Sequence, residues 1–394
     1  MYTDDYFNVL NKSLRAHPRS IPAFIIDLER LDANLRTLKA QLPPGRDFRL
    51  VVKSLPCLKL IDYVLKYMKT DRLMVFHQPF LSRLHQYYGD QVDLLLGKPM
   101  PIDNASYFYQ HLALEATPPK VQWLVDNEDR LQNYIQLARK YNHRLRINLE
   151  IDVGLHRGGF TSLDELDLAL SILENVPDYI ELSGLMGYDP HLAKIPSFLK
   201  KPQRSQQQAF DFYHQCKALI QEKHPKLWHQ GLTFNAGGSP SLHFHQNDSP
   251  ANELAAGSCL LKPSDFDNKT LQDYSPACFI STPILKKEKH TKIPGLEKIS
   301  SISSGFSPKL KNAYFIYGGY WKADYYYPKD AQENQLFGSS TNQSLINTKN
   351  GDLQVGDSIF LRPHQSESVM PQFEEILVVR GEKIVGQWAP LRGE

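Results

Sequence analysis

The first two thirds of the chain alternate short apolar runs with longer amphipathic segments, and this alternation constrains the fold more than any other feature. Strands that are apolar along their whole length, each followed by a helix, are typical of a parallel sheet covered on both faces. Eight such strands are the number that a closed (β/α)8 barrel needs, and we predict that fold. A doubly wound open sheet fits the same alternation and is the alternative. The predicted strands are Ala23–Ile26, Phe48–Lys53, Leu73–Phe76, Val92–Leu96, Val121–Val125, Leu145–Ile151, Ile180–Met186 and Leu232–Asn235.

The pattern changes after about residue 260, where strand-like runs follow one another without helices between them. Two alternating runs flank Gly381 and Glu382, which is the signature of a β-hairpin. We predict a barrel over residues 20–262 and a C-terminal all-β domain over residues 263–394. Residues 1–19 either join the β domain or lead into the barrel. The predicted strands of the β domain are Cys278–Leu285, Ala313–Tyr320, Ser358–Leu361, Ile376–Arg380 and Lys383–Trp388.

Charge and cysteine content narrow the class of protein. Lys and Arg number 45 against 43 for Asp and Glu, a balance that argues against a nucleic-acid or membrane-surface partner. No apolar run is long enough to span a membrane, and the N-terminus lacks the apolar core of a signal peptide. The 4 cysteines form no CxxC pair, as expected of reduced thiols. We expect a cytoplasmic protein.

Lys53 ends an apolar predicted strand, and the carboxyl ends of barrel strands are where active sites gather. A lysine held there offers the free amine that a Schiff base requires. The alternative is a lysine that leaves the strand and meets solvent, as most lysines do.

Two further loops carry groups suited to chemistry. The segment Glu150–Gly159 places two carboxylates, Arg157 and a glycine pair after a buried strand. The Arg157 guanidinium is a permanent cation with a rigid donor fork, although an Asp–Arg ion pair that only holds the loop is the structural alternative. The segment Gly187–His191 supplies Tyr188 and His191, and an imidazole can move a proton near neutral pH. A surface histidine in a proline turn is equally compatible with this segment.

Small residues follow the last predicted barrel strand in the segment Asn235–Ser241. Backbone N–H groups in such a turn can bind a phosphate, and barrels commonly bind phosphate after their last strands. The turn Ala255–Ser258 can close the same pocket. Neither turn carries a Walker or GxGxxG pattern. An amine, a cationic fork, an aromatic ring, an imidazole and a phosphate cradle together are the set that pyridoxal 5'-phosphate needs.

These motifs resemble the fold-type III pyridoxal-phosphate enzymes, in the branch of D-threonine aldolase and D-serine dehydratase-like proteins beside alanine racemase. The resemblance covers most of the chain. It implies an active site between a TIM barrel and the β domain, usually in a homodimer. It also implies that Lys53 forms the internal aldimine, Arg157 faces the pyridine nitrogen and Tyr188 lies beside the ring. The implied phosphate ligands are Gly238, Ser239, Gly257 and Ser258.

The chain departs from that branch at the metal site. Members that cleave or dehydrate β-hydroxy D-amino acids carry a His-x-Cys or His-x-Asp metal pair in the β domain. His364 matches the first ligand, but Ser366 stands where Cys or Asp is expected. A neutral hydroxyl is a poor ligand for Zn²⁺ or Mn²⁺. Glu367, one position later, can substitute only in a reshaped loop.

The resemblance implies a pyridoxal-phosphate-dependent lyase that acts on a small D-amino acid carrying a β-hydroxyl. The substrate would displace Lys53 by transaldimination. Cα–Cβ cleavage would follow, with His191 removing the hydroxyl proton, or water would be lost instead. An amino-acid racemase is the alternative reaction. A non-catalytic protein that stores or delivers pyridoxal phosphate is the alternative of a different class.

Overall fold

A computed structural model describes residues 4–112, 119–194, 202–246, 248–291, 311–338 and 340–392. Within them, eight parallel strands close into a barrel, and a second, nine-stranded sheet lies beside it. The predicted fold class is therefore confirmed. The open-sheet alternative is wrong because the first and last barrel strands pair with each other.

In chain order the strands are β1 (Ala23–Asp27), β2 (Asp47–Val51), β3 (Arg72–Val75), β4 (Asp93–Leu96), β5 (Val121–Val125), β6 (Leu145–Glu150), β7 (Ile180–Gly187), β8 (Thr233–Ala236), β9 (Glu253–Ala256), β10 (Cys278–His290), β11 (Lys311–Tyr317), β12 (Ala323–Tyr327), β13 (Gln332–Glu333), β14 (Gln343–Asn347), β15 (Ser358–Pro363), β16 (Ile376–Arg380) and β17 (Lys383–Trp388). The helices are α1 (Asp4–Arg15), α2 (Leu28–Gln41), α3 (Leu58–Met68), α4 (Gln78–Tyr88), α5 (Ile102–Gln110), α6 (Glu128–Tyr141), α7 (Leu163–Glu174), α8 (Pro202–Lys223), α9 (Ser258–Leu261) and α10 (Ser366–Val369). Asn127 caps α6, its side chain accepting a hydrogen bond from the Arg130 N–H at 2.8 Å. None of the helices in the described ranges is long and apolar enough to cross a membrane.

The barrel is built from β2 to β9, so the strand predicted to begin it lies elsewhere. β1 pairs antiparallel with β10 and parallel with β16 in the second sheet. The eighth barrel strand is β9, which lies partly within the segment predicted as a small-residue turn. A fully buried apolar strand has the same sequence signature in either sheet. The alanine-rich β9 lacks the β-branched and aromatic residues by which strands are recognised.

The N-terminal helix packs against the second sheet. Phe7 of α1 stacks on Tyr327 at 4.9 Å between ring centroids and contacts Phe360 at 4.8 Å. The same apolar cluster contains Ile25 of β1 and Leu377 of β16. Helix α1, residues Asp4–Arg15, therefore lies against strands of the second sheet.

The second sheet confirms the predicted hairpin, in which Arg380 pairs with Lys383 across the turn between β16 and β17. β15 lies between β10 and β12. The chain leaves β15 at Pro363 and then passes over the carboxyl end of the barrel, where Ser366 contacts the loop after β2.

Charged side chains pack inside the barrel near the amino ends of its strands. The fully buried Arg49 of β2 donates hydrogen bonds to Glu253 of β9 at 2.9 Å and to Asp93 of β4 at 2.7 Å. Burial raises the pKa of Asp93, but Arg49 and Arg146 outweigh it and lower that pKa to about 2. Buried charges in this arrangement are stable because each is paired and hydrogen-bonded. The 4 cysteines, by contrast, are free and buried.

Candidate active site

A cavity of about 300 Å³ lies at the carboxyl ends of the barrel strands, beneath the chain that follows β15. Active sites of barrel enzymes occupy this end because the loops after the strands converge there. The predicted site residues in its lining are Lys53, Arg157, Tyr188, Gly238, Ser239, Gly257 and Ser258. The chain after β15 adds Gln365, Ser366 and Glu367.

Lys53 lies in a 3₁₀ turn, Val52–Ser54, two residues beyond the end of β2 and not in the strand as predicted. Its Nζ lies 4.6 Å from the centroid of the Phe76 ring and 3.8 Å from Oε2 of Glu367. The Lys53 side chain is 41% exposed, so its amine faces the cavity as well as these two neighbours. This position lets the amine react with a group bound in the cavity.

Arg157 reaches the cavity from the loop after β6. Its Cζ lies 5.2 Å from the centroid of the Tyr188 ring, within the range of a cation–π contact. Asp152 braces the loop by accepting hydrogen bonds from the N–H groups of Gly154 and His156, each at 2.9 Å. Burial raises the pKa of Asp152, but the two hydrogen bonds and the His156 ring lower it by more. The pKa of Asp152 therefore lies below its usual value. The carboxylate is thus used within its own loop, and the Asp–Arg ion pair considered from the sequence does not form at Asp152.

Glu150 ends β6 close to Arg157. Burial and, to a lesser degree, the carboxylate of Asp126 raise the pKa of Glu150 to about 7, although Arg157 opposes the shift. A carboxyl group whose pKa lies near neutrality changes its charge close to physiological pH. The positive potential around Arg157 therefore depends on pH.

Glycine is required in the two turns predicted to bind phosphate. A Cβ on Gly238 would lie 2.9 Å from Cε2 of Tyr188, and one on Gly257 would lie 2.6 Å from the Val51 carbonyl oxygen. The Ser239 hydroxyl oxygen ties the two turns together, because it accepts hydrogen bonds from the N–H groups of Gly257 at 3.3 Å and Cys259 at 3.0 Å. The Ser239 hydroxyl therefore holds the turn after β8 against the turn after β9.

A buried hydrogen-bond network supports the loop that carries Tyr188. The carboxylate of Asp189 is bonded to Nε2 of His245 at 2.6 Å and accepts from the Ser241 hydroxyl at 2.6 Å. His245 in turn contacts the Ser249 hydroxyl through Nδ1 at 2.8 Å. No spacing in the sequence signals this network, because its members come from separate loops. It fixes the Tyr188 backbone, while burial raises the pKa of the Tyr188 phenol.

Two predicted histidines lie outside the cavity lining. His191 follows Tyr188 in a 3₁₀ turn, and its Nε2 lies 3.3 Å from the place a Cβ would take on Gly154. His364 is bonded through Nε2 to Oδ1 of Asp324 at 2.9 Å. Across the described part of the chain, no three His, Cys, Asp or Glu side chains are grouped so that they could hold a metal ion.

Among the lining residues that the sequence did not single out are Phe76, after β3, and Lys194, after β7. Glu367 was considered only as a replacement metal ligand. Phe76 is the last residue of the predicted strand Leu73–Phe76, and this position at a strand end was the one available signal.

Comparison with known proteins agrees with this geometry. Residues 26–264, more than half of the chain, match the alanine racemase N-terminal domain family. The 3-hydroxy-D-aspartate aldolase of Paracoccus denitrificans (strain Pd 1222) is 23% identical over 93% of this chain and 90% of its own length. D-threo-3-hydroxyaspartate dehydratase from Delftia sp. HT23 superposes with a TM-score of 0.70 at 14% identity, covering 97% of this chain and all of its own (100%). D-threonine aldolase from Filomicrobium marinum superposes with a TM-score of 0.69 at 14% identity, covering 95% of this chain and 98% of its own.

The barrel, the second sheet and the lysine-containing cavity define the class as fold-type III pyridoxal-phosphate enzymes. Within that class, the chain belongs to the alanine racemase N-terminal domain family.

The residues present fit the cofactor of this class. A phosphate cradle needs a concave turn with accessible N–H groups. The two turns can keep that shape because neither Gly238 nor Gly257 carries a Cβ. Lys53 and Arg157 line the same cavity, whose volume of about 300 Å³ is at the lower end for small-ligand pockets.

Proposed function

We propose that this protein is a pyridoxal-phosphate-dependent lyase acting on a small D-amino acid that carries a β-hydroxyl. The observation that carries the proposal is the convergence of the Lys53 amine, the Gly238–Ser239 turn and Glu367 on one cavity. The names of the two related aldolases and the related dehydratase support the reaction class, since each name contains a β-hydroxy D-amino acid.

Each lining residue has a role in this proposal. Lys53 would attach the cofactor, Arg157 would face its pyridine nitrogen, and Tyr188 would lie beside its ring. Gly238, Ser239, Gly257 and Ser258 would hold its phosphate. When bound, pyridoxal phosphate supplies an electron sink for the pair released as a bond at Cα breaks. The protein residues decide which bond that is, by orienting the substrate and excluding water.

The assignment of the β-hydroxyl proton to His191 stays a prediction. The imidazole follows the Tyr188 loop but is not part of the cavity lining, whereas Glu367 is. The geometry therefore favours a group closer to Lys53 for contact with the substrate.

We infer three broader properties. The division into domains that best fits the strand pairing joins residues 4–27 to the β domain, with the barrel running from about residue 28 to residue 262. The resemblance to the family supports a homodimer, which size-exclusion chromatography with light scattering would test. A cytoplasmic location agrees with the four free thiols.

A substrate panel tests the function. The purified protein, loaded with pyridoxal phosphate, is incubated with D-threonine, D-serine, D-3-hydroxyaspartate and D-alanine, and with their L enantiomers as controls. Glycine plus an aldehyde indicates an aldolase, and an oxo acid plus ammonia indicates a dehydratase. Interconversion of enantiomers would instead make it a racemase. Cofactor binding without turnover of any compound would support a storage protein and contradict the proposal.

A further inference from the structure

The loop after β15 does not provide the donor set of a divalent metal site. Ser366, at the position of the expected second ligand, is buried, and its hydroxyl donates a hydrogen bond to the Ser54 carbonyl oxygen at 2.7 Å. His364, at the first position, is bonded to Asp324. A hydroxyl that is neutral and already used as a donor is a poor ligand for Zn²⁺ or Mn²⁺. The residues present therefore do not fit the metal.

The Ser366 hydrogen bond has a structural result of its own. It joins the start of α10 to the 3₁₀ turn that carries Lys53. Ser54 is held on its other side as well, because its hydroxyl is 2.8 Å from that of Ser258. The residue after Ser366 is thereby fixed relative to the lysine and to the phosphate turn.

That residue is Glu367, and its carboxylate lines the cavity. Its Oε2 lies 3.8 Å from Nζ of Lys53, and the side chain is 31% exposed. A substrate amine must come to the place of the Lys53 amine in order to displace it. The Cα and Cβ of the substrate then lie one and two bonds beyond this point, within the reach of Glu367.

We propose that Glu367 accepts a hydrogen bond from the β-hydroxyl of the substrate, and that this site works without a divalent metal. The inference rests on the proposed function, because it assumes a β-hydroxy D-amino acid. A carboxylate is among the strongest acceptors for a hydroxyl, and the partial burial of Glu367 strengthens such a bond. The bond orients the hydroxyl, the task for which related enzymes use a metal ion.

The first test measures the dependence on metal. The holoenzyme is dialysed against EDTA, its zinc and manganese are measured by mass spectrometry, and turnover of D-threonine is compared before and after. We expect turnover to stay within about twofold and added Mn²⁺ or Zn²⁺ to leave it unchanged. Loss on chelation with recovery on adding Mn²⁺ or Zn²⁺ would overturn the inference and leave the lyase proposal standing.

The second test isolates the hydroxyl contact without using turnover. D-threonine and D-2-aminobutyrate differ only in the hydroxyl, and the binding of each is followed through the absorbance of the bound cofactor. We expect Glu367→Ala to weaken D-threonine binding about tenfold and to leave D-2-aminobutyrate within about twofold. Glu367→Gln should give a smaller loss in the same direction, because an amide oxygen is a weaker acceptor.

Glu374→Gln is the matched control, since Glu374 contacts Arg19 on the surface, away from the cavity. The cofactor content of every variant is measured first, so that a folding defect is recognised. An equal loss for both ligands would overturn the inference, because Glu367 would then act on Lys53 or the cofactor. If wild-type protein turns over no β-hydroxy D-amino acid, the lyase proposal fails, and the two-ligand comparison still decides whether Glu367 contacts the hydroxyl.

Discussion

Nζ of Lys53, in the turn after the first barrel strand, lies 3.8 Å from Oε2 of Glu367, which follows a strand of the second sheet. Both side chains are partly exposed, and ion pairs of this kind contribute only about 0–1 kcal/mol to stability. The contact therefore matters for where it places the two groups and not for stability. It places a carboxylate beside the one amine that the cofactor of this family requires.

Replacing Lys53 by alanine removes the attachment point proposed for the cofactor. We expect Lys53→Ala to lose pyridoxal phosphate on gel filtration and to lower turnover by at least about a thousandfold, because covalent catalysis has no substitute group there. Absorbance of the eluted protein and the product assay measure the two effects. Lys59→Ala, at an exposed position on α3, is the control. Retention of the cofactor by Lys53→Ala would contradict the assignment.

The shape of the turn at Gly257 predicts how a larger residue there affects cofactor binding. Gly257→Ala brings a methyl group to within 2.6 Å of the Val51 carbonyl oxygen, so the backbone must shift. We expect at least a tenfold weaker affinity for pyridoxal phosphate, roughly the loss of one good hydrogen bond, measured by titrating the apoprotein. Gly386→Ala in β17 is the control, since the nearest atom lies at 3.4 Å. Equal affinities in the two variants would show that the turn after β9 does not bind the phosphate.

Glu150 predicts a pH dependence of stability. Its pKa rises from an ordinary 4.5 to about 7 on folding, mainly through burial. The pKa of this carboxyl group is higher in the folded state than in the unfolded state. Its contribution to stability is therefore fully present below pH 4.5 and is lost as the pH rises through about 7. Glu150→Gln stays neutral and should remove that decline from urea unfolding curves recorded across this interval. The exposed Glu128→Gln should retain it, and a wild-type curve parallel to that of Glu150→Gln would refute the prediction.

The barrel interior predicts a large loss of stability from one substitution. Arg49→Met leaves the carboxylates of Glu253 and Asp93 without their fully buried partner. Breaking a buried pair in this way costs about 3–5 kcal/mol of unfolding free energy. Denaturant unfolding measures the change, and Arg36→Met at an exposed position on α2 is the control. A loss below about 1 kcal/mol would mean that water or Arg72 and Arg146 compensate.

Much of the barrel could be predicted because its signals are local. Seven of the eight predicted barrel strands coincide with β2 to β8, and the loops after them carry the motifs that line the cavity. The exception is the predicted strand Ala23–Ile26, which is apolar along its length and carries no mark of the sheet it joins. Strand pairing between distant segments is decided by the packing of both partners, and one segment does not contain that information.

The site residues likewise divide into those that the local sequence identifies and those that it does not. Lys53, Arg157, Tyr188 and the two small-residue turns are identifiable because each follows a strand at the same end of the barrel. Glu367 and the Asp189–His245 pair are not, because their partners are distant in sequence.

The sequence by itself determined seven of the barrel strands, the glycine and serine turns and the absence of Cys or Asp at position 366, because these depend on the chemistry of adjacent residues. Only the tertiary structure decided which sheet receives β1, what Ser366 binds and which carboxylate faces the lysine. Those outcomes arise where the barrel and the second sheet pack together, and a contact between surfaces is a property of both at once.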